Sequence, residues 1–134
     1  MFHKIKYLLV LCDDPEDHFF FSNVISGHFP GINLTLLDAC DQLMPYLMDM
    51  RIAFPDIIML DLDIIGNQDL ECLIELKKTK NLAHIPVVVY SSTKRRSQVN
   101  LALELGAYKY IVKSGNFNEG LTQLTNLLLE VEQL

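Results

Sequence analysis

Asp13, Asp14, Asp61, Ser91 and Lys113 are the side chains of this sequence whose types and placement could do chemistry together. Each follows closely on a short apolar run: YLLVL, IIML, VVVY and YIV. Three carboxylates brought close repel one another unless a cation sits among them. Oxygen-only donors with an open face suit Mg2+, which also keeps several waters. A bound metal can draw in phosphoryl oxygens, leaving one carboxylate free to attack phosphorus and form an aspartyl phosphate. Lys113 would supply a positive charge to one phosphoryl oxygen and the Ser91 hydroxyl a hydrogen bond to another. Taken singly, each residue has a plainer reading; an aspartate after an apolar run commonly does no more than start a turn. The signal lies in their joint placement.

Those residues can meet only if the apolar runs share one sheet. Runs of four or five apolar residues without polar alternation suit strands covered on both faces, and in parallel sheets ligands bind beyond the carboxyl ends of such strands. Strands are expected at Tyr7 to Leu11, Ile32 to Leu37, Ile57 to Leu60, Val87 to Tyr90 and Tyr108 to Val112, the second nearer an edge. Between them fall helical patterns. The first starts at Pro15, with Asp14 as its cap, Glu16 and Asp17 near its positive end, and the three phenylalanines from Phe19 read as core. Leu43, Leu47 and Met50 mark a helix over Asp41 to Ala53, with Pro45 tolerated only near its first turn. Leu70, Leu73, Ile74 and Leu76 mark another, capped by Asn67 or Asp69 after a Gly66–Asn67 loop. Val99, Ala102, Leu103 and Leu105 define a fourth, stopped by Gly106, and Phe117 to Val131 a fifth. Five alternations with short connections predict a doubly wound parallel α/β sheet with helices on both faces. Asp61 would then stand at the carboxyl edge, facing solvent.

The 134 residues fit one domain able to bury a core unaided, and half of them are apolar. A formal net charge of -6 argues against nucleic-acid and anionic-membrane partners. No stretch reaches the length of a membrane span. Cys12, Cys40 and Cys72 are widely spaced and odd in number, so neither a disulfide framework nor a zinc site is expected, which fits a reducing cytoplasm. His3, His18, His28 and His84 show no metal spacing and read as surface or loop. Lys94, Arg95 and Arg96 form a compact basic run, read as a solvated face or a contact for an acidic partner.

The motifs LVLCDD, PDIIMLDLD, IPVVVYSS and GAYKYIVKS together resemble the receiver domain of bacterial two-component response regulators over essentially the whole chain, residues 1–134. The resemblance implies a flavodoxin-like, CheY-like sheet of five strands ordered 2-1-3-4-5 with five helices. It implies that Asp61 is the phosphoacceptor, Asp13 and Asp14 the acidic pair, Ser91 the switch hydroxyl and Lys113 the phosphate-binding lysine. Magnesium would be held by Asp13, Asp14, Asp61 and the main-chain carbonyl of Asp63. Tyr110 would be the aromatic switch that turns inward as Ser91 moves toward the phosphoryl group. The implied partners are a histidine kinase or phosphotransfer protein, a downstream protein target, and a second copy through the fourth helix, fifth strand and fifth helix. The implied location is the cytoplasm. Activity beyond magnesium-dependent self-phosphorylation and slow loss of the phosphoryl group is not expected.

The chain departs from the family pattern in two places. Ile64, Ile65 and Leu70 stand where the family usually has Met-Pro and a glycine. Ser114 stands where it usually has a cis proline. A non-proline cis bond costs about 3 kcal/mol, so either a trans loop with Lys113 displaced or a strained bond is expected. Two other readings remain open: a pseudo-receiver that binds proteins without phosphorylation, and an aspartyl-phosphate hydrolase suggested by Asp61-Leu62-Asp63.

Overall fold

The computed structural model describes residues 2–49, 51–63 and 68–134. Along them run β1 (Tyr7–Leu11), α1 (Pro15–His28), β2 (Asn33–Leu37), α2 (Cys40–Leu47), β3 (Ile57–Asp61), α3 (Gln68–Lys78), β4 (Val87–Ser91), α4 (Arg96–Glu104), β5 (Lys109–Val112) and α5 (Phe117–Glu132). All strand pairs are parallel, in the order β2-β1-β3-β4-β5. The order reverses beside β1, at whose carboxyl end, and that of β3, stand Asp13, Asp14 and Asp61, while Ser91 ends β4 and Lys113 follows β5 at the same edge. Ile64, Ile65, Gly66, Asn67 and Met50 lie outside the described residues, as do the side chains of Gln68 and Asp69.

Successive strand residues point to opposite faces, so the apolar runs feed two cores. Leu8, Val10, Ile57, Met59, Val88 and Tyr90 join Phe21, Val24 and Ile25 of α1 and Leu124, Leu128 and Val131 of α5. Leu9, Leu11, Ile58, Leu60, Val87 and Val89 join Leu43 and Leu47 of α2, Leu73 and Leu76 of α3, and Ala102 of α4. The three inner strands are therefore apolar on both faces, as their unbroken runs require.

Local chemistry sets the helix ends. Asp14 Oδ1 accepts the Glu16 N–H at 2.9 Å and caps α1, as expected. Asn116 Oδ1 accepts the N–H groups of Asn118 and Glu119 and caps α5. Gly106 follows α4 at φ 108°, a conformation that side chains resist, and Lys77 packs against it. Near the start of the chain, the Glu132 carboxylate of α5 accepts the N–H groups of His3, Lys4 and Ile5.

Four expectations need correction. The second helix ends at Leu47 instead of reaching Ala53, because Asp49 takes the Arg51 N–H and guanidinium into a local turn. Pro45 lies beyond its first turn, where it forgoes the bond to the Asp41 carbonyl. Of the three phenylalanines only Phe21 is buried; Phe19 is 68% exposed, since three successive helical positions span too wide an arc to share one face. Cys40 and Cys72 are joined as a disulfide between α2 and α3, with Cα atoms 5.9 Å apart. Their sequence spacing carried no sign of the bond because the packing of two helices on one face creates it.

Candidate functional site at the strand ends

Asp61 ends β3 and Ser91 ends β4, and both are buried, at 1% and 0% exposure. The expectation that Asp61 faces solvent is thus overturned: α1 and the chain after β5 close over it. Asp61 lies on the same sheet face as Met59, toward α1 and α5, and Lys113 reaches it from beyond β5. The Lys113 ammonium meets Asp61 Oδ2 at 2.9 Å, Asp17 Oδ2 at 2.9 Å and Asp63 Oδ2 at 3.0 Å. It also lies 4.6 Å from the centre of the Tyr90 ring. The Lys113–Ser114 bond is trans, and the trans loop does not carry Lys113 out of reach of Asp61. Ser114 instead turns its hydroxyl to Glu119 and accepts the Asn116 N–H, starting α5.

Burial raises the Asp61 pKa to about 6, against the opposing pull of Lys113 and of the Asp63 N–H bonded to Oδ1 at 2.8 Å. Burial works against the Lys113 charge too, but its bonds to Asp61, Asp17 and Asp63 overcome that and raise its pKa. For Asp63 burial is again opposed, here by Lys113, Ser91 and the Ser92 N–H, which hold its carboxyl below the ordinary value. Burial pushes the Cys12 thiol up to about 12, so this thiol is a small buried hydrophobe.

Asp63 was expected to offer only its main-chain carbonyl. Its side chain accepts hydrogen bonds from Ser91 Oγ at 2.8 Å and from the Ser92 N–H at 3.1 Å. Thr93 N–H donates to Ser91 Oγ at 3.2 Å, and Tyr110 donates its hydroxyl to the Thr93 carbonyl at 3.0 Å. Ser91 and Tyr110 are thereby linked through one loop between β4 and α4.

Asp13 and Asp14 are exposed, and Asp14 already spends one oxygen on the α1 cap. Among the described residues no three His, Cys, Asp or Glu side chains are gathered closely enough to hold a metal ion. The donor chemistry fits magnesium: carboxylate oxygens at one edge, with the second oxygen of Asp14 unspent. In the arrangement described here, however, the cation among the acids is the Lys113 ammonium.

Asp17 is the residue that sequence reasoning missed. It was read as a favourable charge at the start of α1, yet it lies four and seven residues before Phe21 and Val24, on the buried stripe. That spacing was the available signal. His18, read as surface or loop, sits half-buried with Nε2 against the Cys12 carbonyl and 3.3 Å from Asp38 Oδ1. A cavity of about 270 Å³ lies between α1 and α5 beside Lys113, walled by Phe20, Phe21, Tyr90 and Phe117.

Comparison with known proteins adds the family. The response regulator receiver domain model matches residues 9–125. The chain belongs to the response regulator receiver domain family. This receiver is 28% identical over 110 residues to the two-component response regulator ORR12 of Oryza sativa subsp. japonica, covering 80% of this chain and 85% of that protein. A plant relative means that membership alone does not assign the receiver to bacteria. Its fold is shared by the phosphorylated cyanobacterial phytochrome response regulator RcpA, with a TM-score of 0.83, 23% identity, and 92% and 91% of the two chains covered. The Mn(2+)-bound form of response regulator Rcp1 is also similar, with a TM-score of 0.81, 25% identity, and 91% of each chain covered. Among the described residues no helix is long and apolar enough to cross a membrane.

Proposed function

We propose that this receiver accepts a phosphoryl group on Asp61 from a histidine kinase or phosphotransfer protein, and signals through a protein-contact surface that changes with phosphorylation. The observation that carries the reading is the Asp61–Lys113 pair at 2.9 Å, beside the β4 end that presents buried Ser91. An Asp61 oxygen forms the bond to phosphorus while the bond from phosphorus to the donor imidazole nitrogen breaks. The electron pair leaves with that nitrogen. Above pH 6 Asp61 is mostly the carboxylate, the form able to attack. Lys113 offsets charge on one phosphoryl oxygen, and the Ser91 hydroxyl donates to another. Asp13, Asp14, Asp61 and the Asp63 carbonyl would hold magnesium, which when bound draws phosphoryl oxygens together and offsets their charge. Ser91 and Tyr110 then report the modification to the face formed by α4, β5 and α5. That face would contact a downstream protein or a second copy, and exposed Leu101, Leu103 and Leu129 lie on its helices.

One observation favours the second reading, a pseudo-receiver that binds partners without phosphorylation: the Lys113 ammonium already lies among the Asp17, Asp61 and Asp63 carboxylates. Intact mass after incubation with magnesium and acetyl phosphate separates the two. The phosphoacceptor reading expects one phosphoryl adduct on the wild type and none on Asp61→Asn. No adduct on either, in protein shown to be folded, sinks it.

A further inference from the structure

Three donors converge on one place: the Ser91 hydroxyl, the Ser92 N–H and the Lys113 ammonium. Ser91 and Lys113 are the groups assigned above to the phosphoryl oxygens, and the Ser92 N–H adjoins them on the same loop. All three are engaged by a single side chain. Asp63 Oδ1 takes Ser91 Oγ at 2.8 Å, while Oδ2 takes the Ser92 N–H at 3.1 Å and Lys113 Nζ at 3.0 Å. The Asp63 N–H is itself held by Asp61 Oδ1 at 2.8 Å, so the competing carboxylate is anchored to the phosphoacceptor. An anion with two oxygens thus occupies the donors that a phosphoryl group on Asp61 would need.

We propose that the Asp63 carboxylate is a resident stand-in for the phosphoryl group, holding the switch loop in its engaged arrangement before phosphorylation and yielding its place when Asp61 is modified. The proposal rests on the reading of Asp61 as phosphoacceptor and of Ser91 and Tyr110 as the switch. The rest of the loop agrees with it. Ser91 Oγ donates to Asp63 and accepts the Thr93 N–H, which fixes the hydroxyl from both sides. The Thr93 carbonyl in turn receives the Tyr110 hydroxyl, holding that half-buried ring against the loop. No other carboxylate is recorded on Ser91 or the Ser92 N–H among the described residues. Of the three donors, Asp17 and Asp61 meet only the lysine. The work of holding the loop therefore falls to Asp63.

Two consequences follow. Without a phosphoryl group, Asp63 already holds the Ser91 to Thr93 loop and through it the Tyr110 hydroxyl, so the change on phosphorylation starts from a partly engaged loop. With one, two anions compete for the same donors and Asp63 must swing toward solvent. Its side chain is 34% exposed, which gives it a way out. Loss of the competitor removes at least one charge-assisted contact that must otherwise be broken, so modification should be on the order of tenfold faster.

The test uses the full chain, with Asp63→Ala and Asp63→Asn beside the wild type, all checked for native far-ultraviolet dichroism. Amide NMR shifts of Ser91, Ser92, Thr93 and Tyr110 are recorded without a phosphodonor, then with magnesium and beryllofluoride, a phosphoryl analogue. The expected result is that both variants shift these amides, Asp63→Ala more strongly, and that beryllofluoride returns Asp63→Ala toward wild-type positions. The wild type should change on the same addition too, but by less than Asp63→Ala, because its loop starts held by Asp63. Unchanged loop and Tyr110 amides in Asp63→Ala without donor would overturn the proposal, as would phosphorylation by acetyl phosphate no faster than in the wild type. Failure of the underlying phosphoacceptor reading looks different: neither wild type nor Asp63→Ala gains mass from acetyl phosphate.

Discussion

Replacing Asp61 with asparagine should make the protein more stable near neutral pH, and the gain should fade in acid. The side chain is 1% exposed and its carboxyl is raised from the ordinary 3.8 to about 6 by burial. That interval, at about 1.4 kcal/mol per pH unit, makes the buried charge unfavourable by about 3 kcal/mol at neutral pH. Between pH 4 and 6 the folded protein binds a proton that the unfolded chain releases, so wild-type stability rises as pH falls through that window. Asparagine keeps the size and can still accept the Asp63 N–H through Oδ1, while Lys113 retains Asp17 and Asp63 as partners. Facing an amide toward the ammonium gives back part of the benefit, leaving an expected gain of about 2–3 kcal/mol near neutrality. Urea unfolding of both proteins at pH 7.5 and pH 4.5, followed by circular dichroism, measures the difference directly. In a thermal scan the gain at the higher pH should appear as a rise on the order of 10 °C. Equal or lower stability of Asp61→Asn at pH 7.5, or a gain of the same size at pH 4.5, would refute the account of a charge held at a cost.

Gly106→Ala should lose about 1–3 kcal/mol, because its φ of 108° and the Lys77 Cγ only 3.0 Å from the new methyl leave it no relaxed position; denaturant unfolding measures this. Asn116→Ala should cost about 1 kcal/mol in the same assay, since two N–H groups at the start of α5 lose their acceptor. Thiol titration of oxidised, denatured protein should count one free cysteine, Cys12, and three after reduction. Closing a loop between positions 32 apart, the Cys40–Cys72 bond should contribute about 3–4 kcal/mol, and its reduction should lower the denaturant midpoint accordingly.

The strand ends were legible in the sequence for a definite reason. An inner parallel strand must be apolar on both sides, so its first polar residue announces where the cover stops. Asp61 and Ser91 were located that way, and Asp14 as a cap by its place before Pro15. The environment of these residues was less legible. Burial of Asp61 depends on α1 and the segment after β5 folding over it, which no run in its own strand encodes. Asp63 follows β3 in a turn where side-chain direction has no period, so its reach to Ser91 and Lys113 could not be read from spacing. Asp17 was readable by its helical spacing to Phe21 and Val24, but its charge drew attention to the helix end instead. The Cys40–Cys72 bond needed the pairing of α2 with α3, a tertiary fact.

The division of the apolar residues into two cores bears on how the molecule tolerates change. The sheet acts as a partition: a void opened under α5 is lined by different atoms from one opened under α2. Leu128→Ala and Leu43→Ala, on opposite faces, should therefore have independent costs, adding to within about 0.5 kcal/mol in the double variant. The partition ends at the carboxyl edge, where Asp61 opens toward one face and Ser91 belongs to the strand surface of the other. Sequence drift can thus proceed in either half with little consequence for its opposite, while the strand ends, where both halves must agree, are the fold's common point of failure.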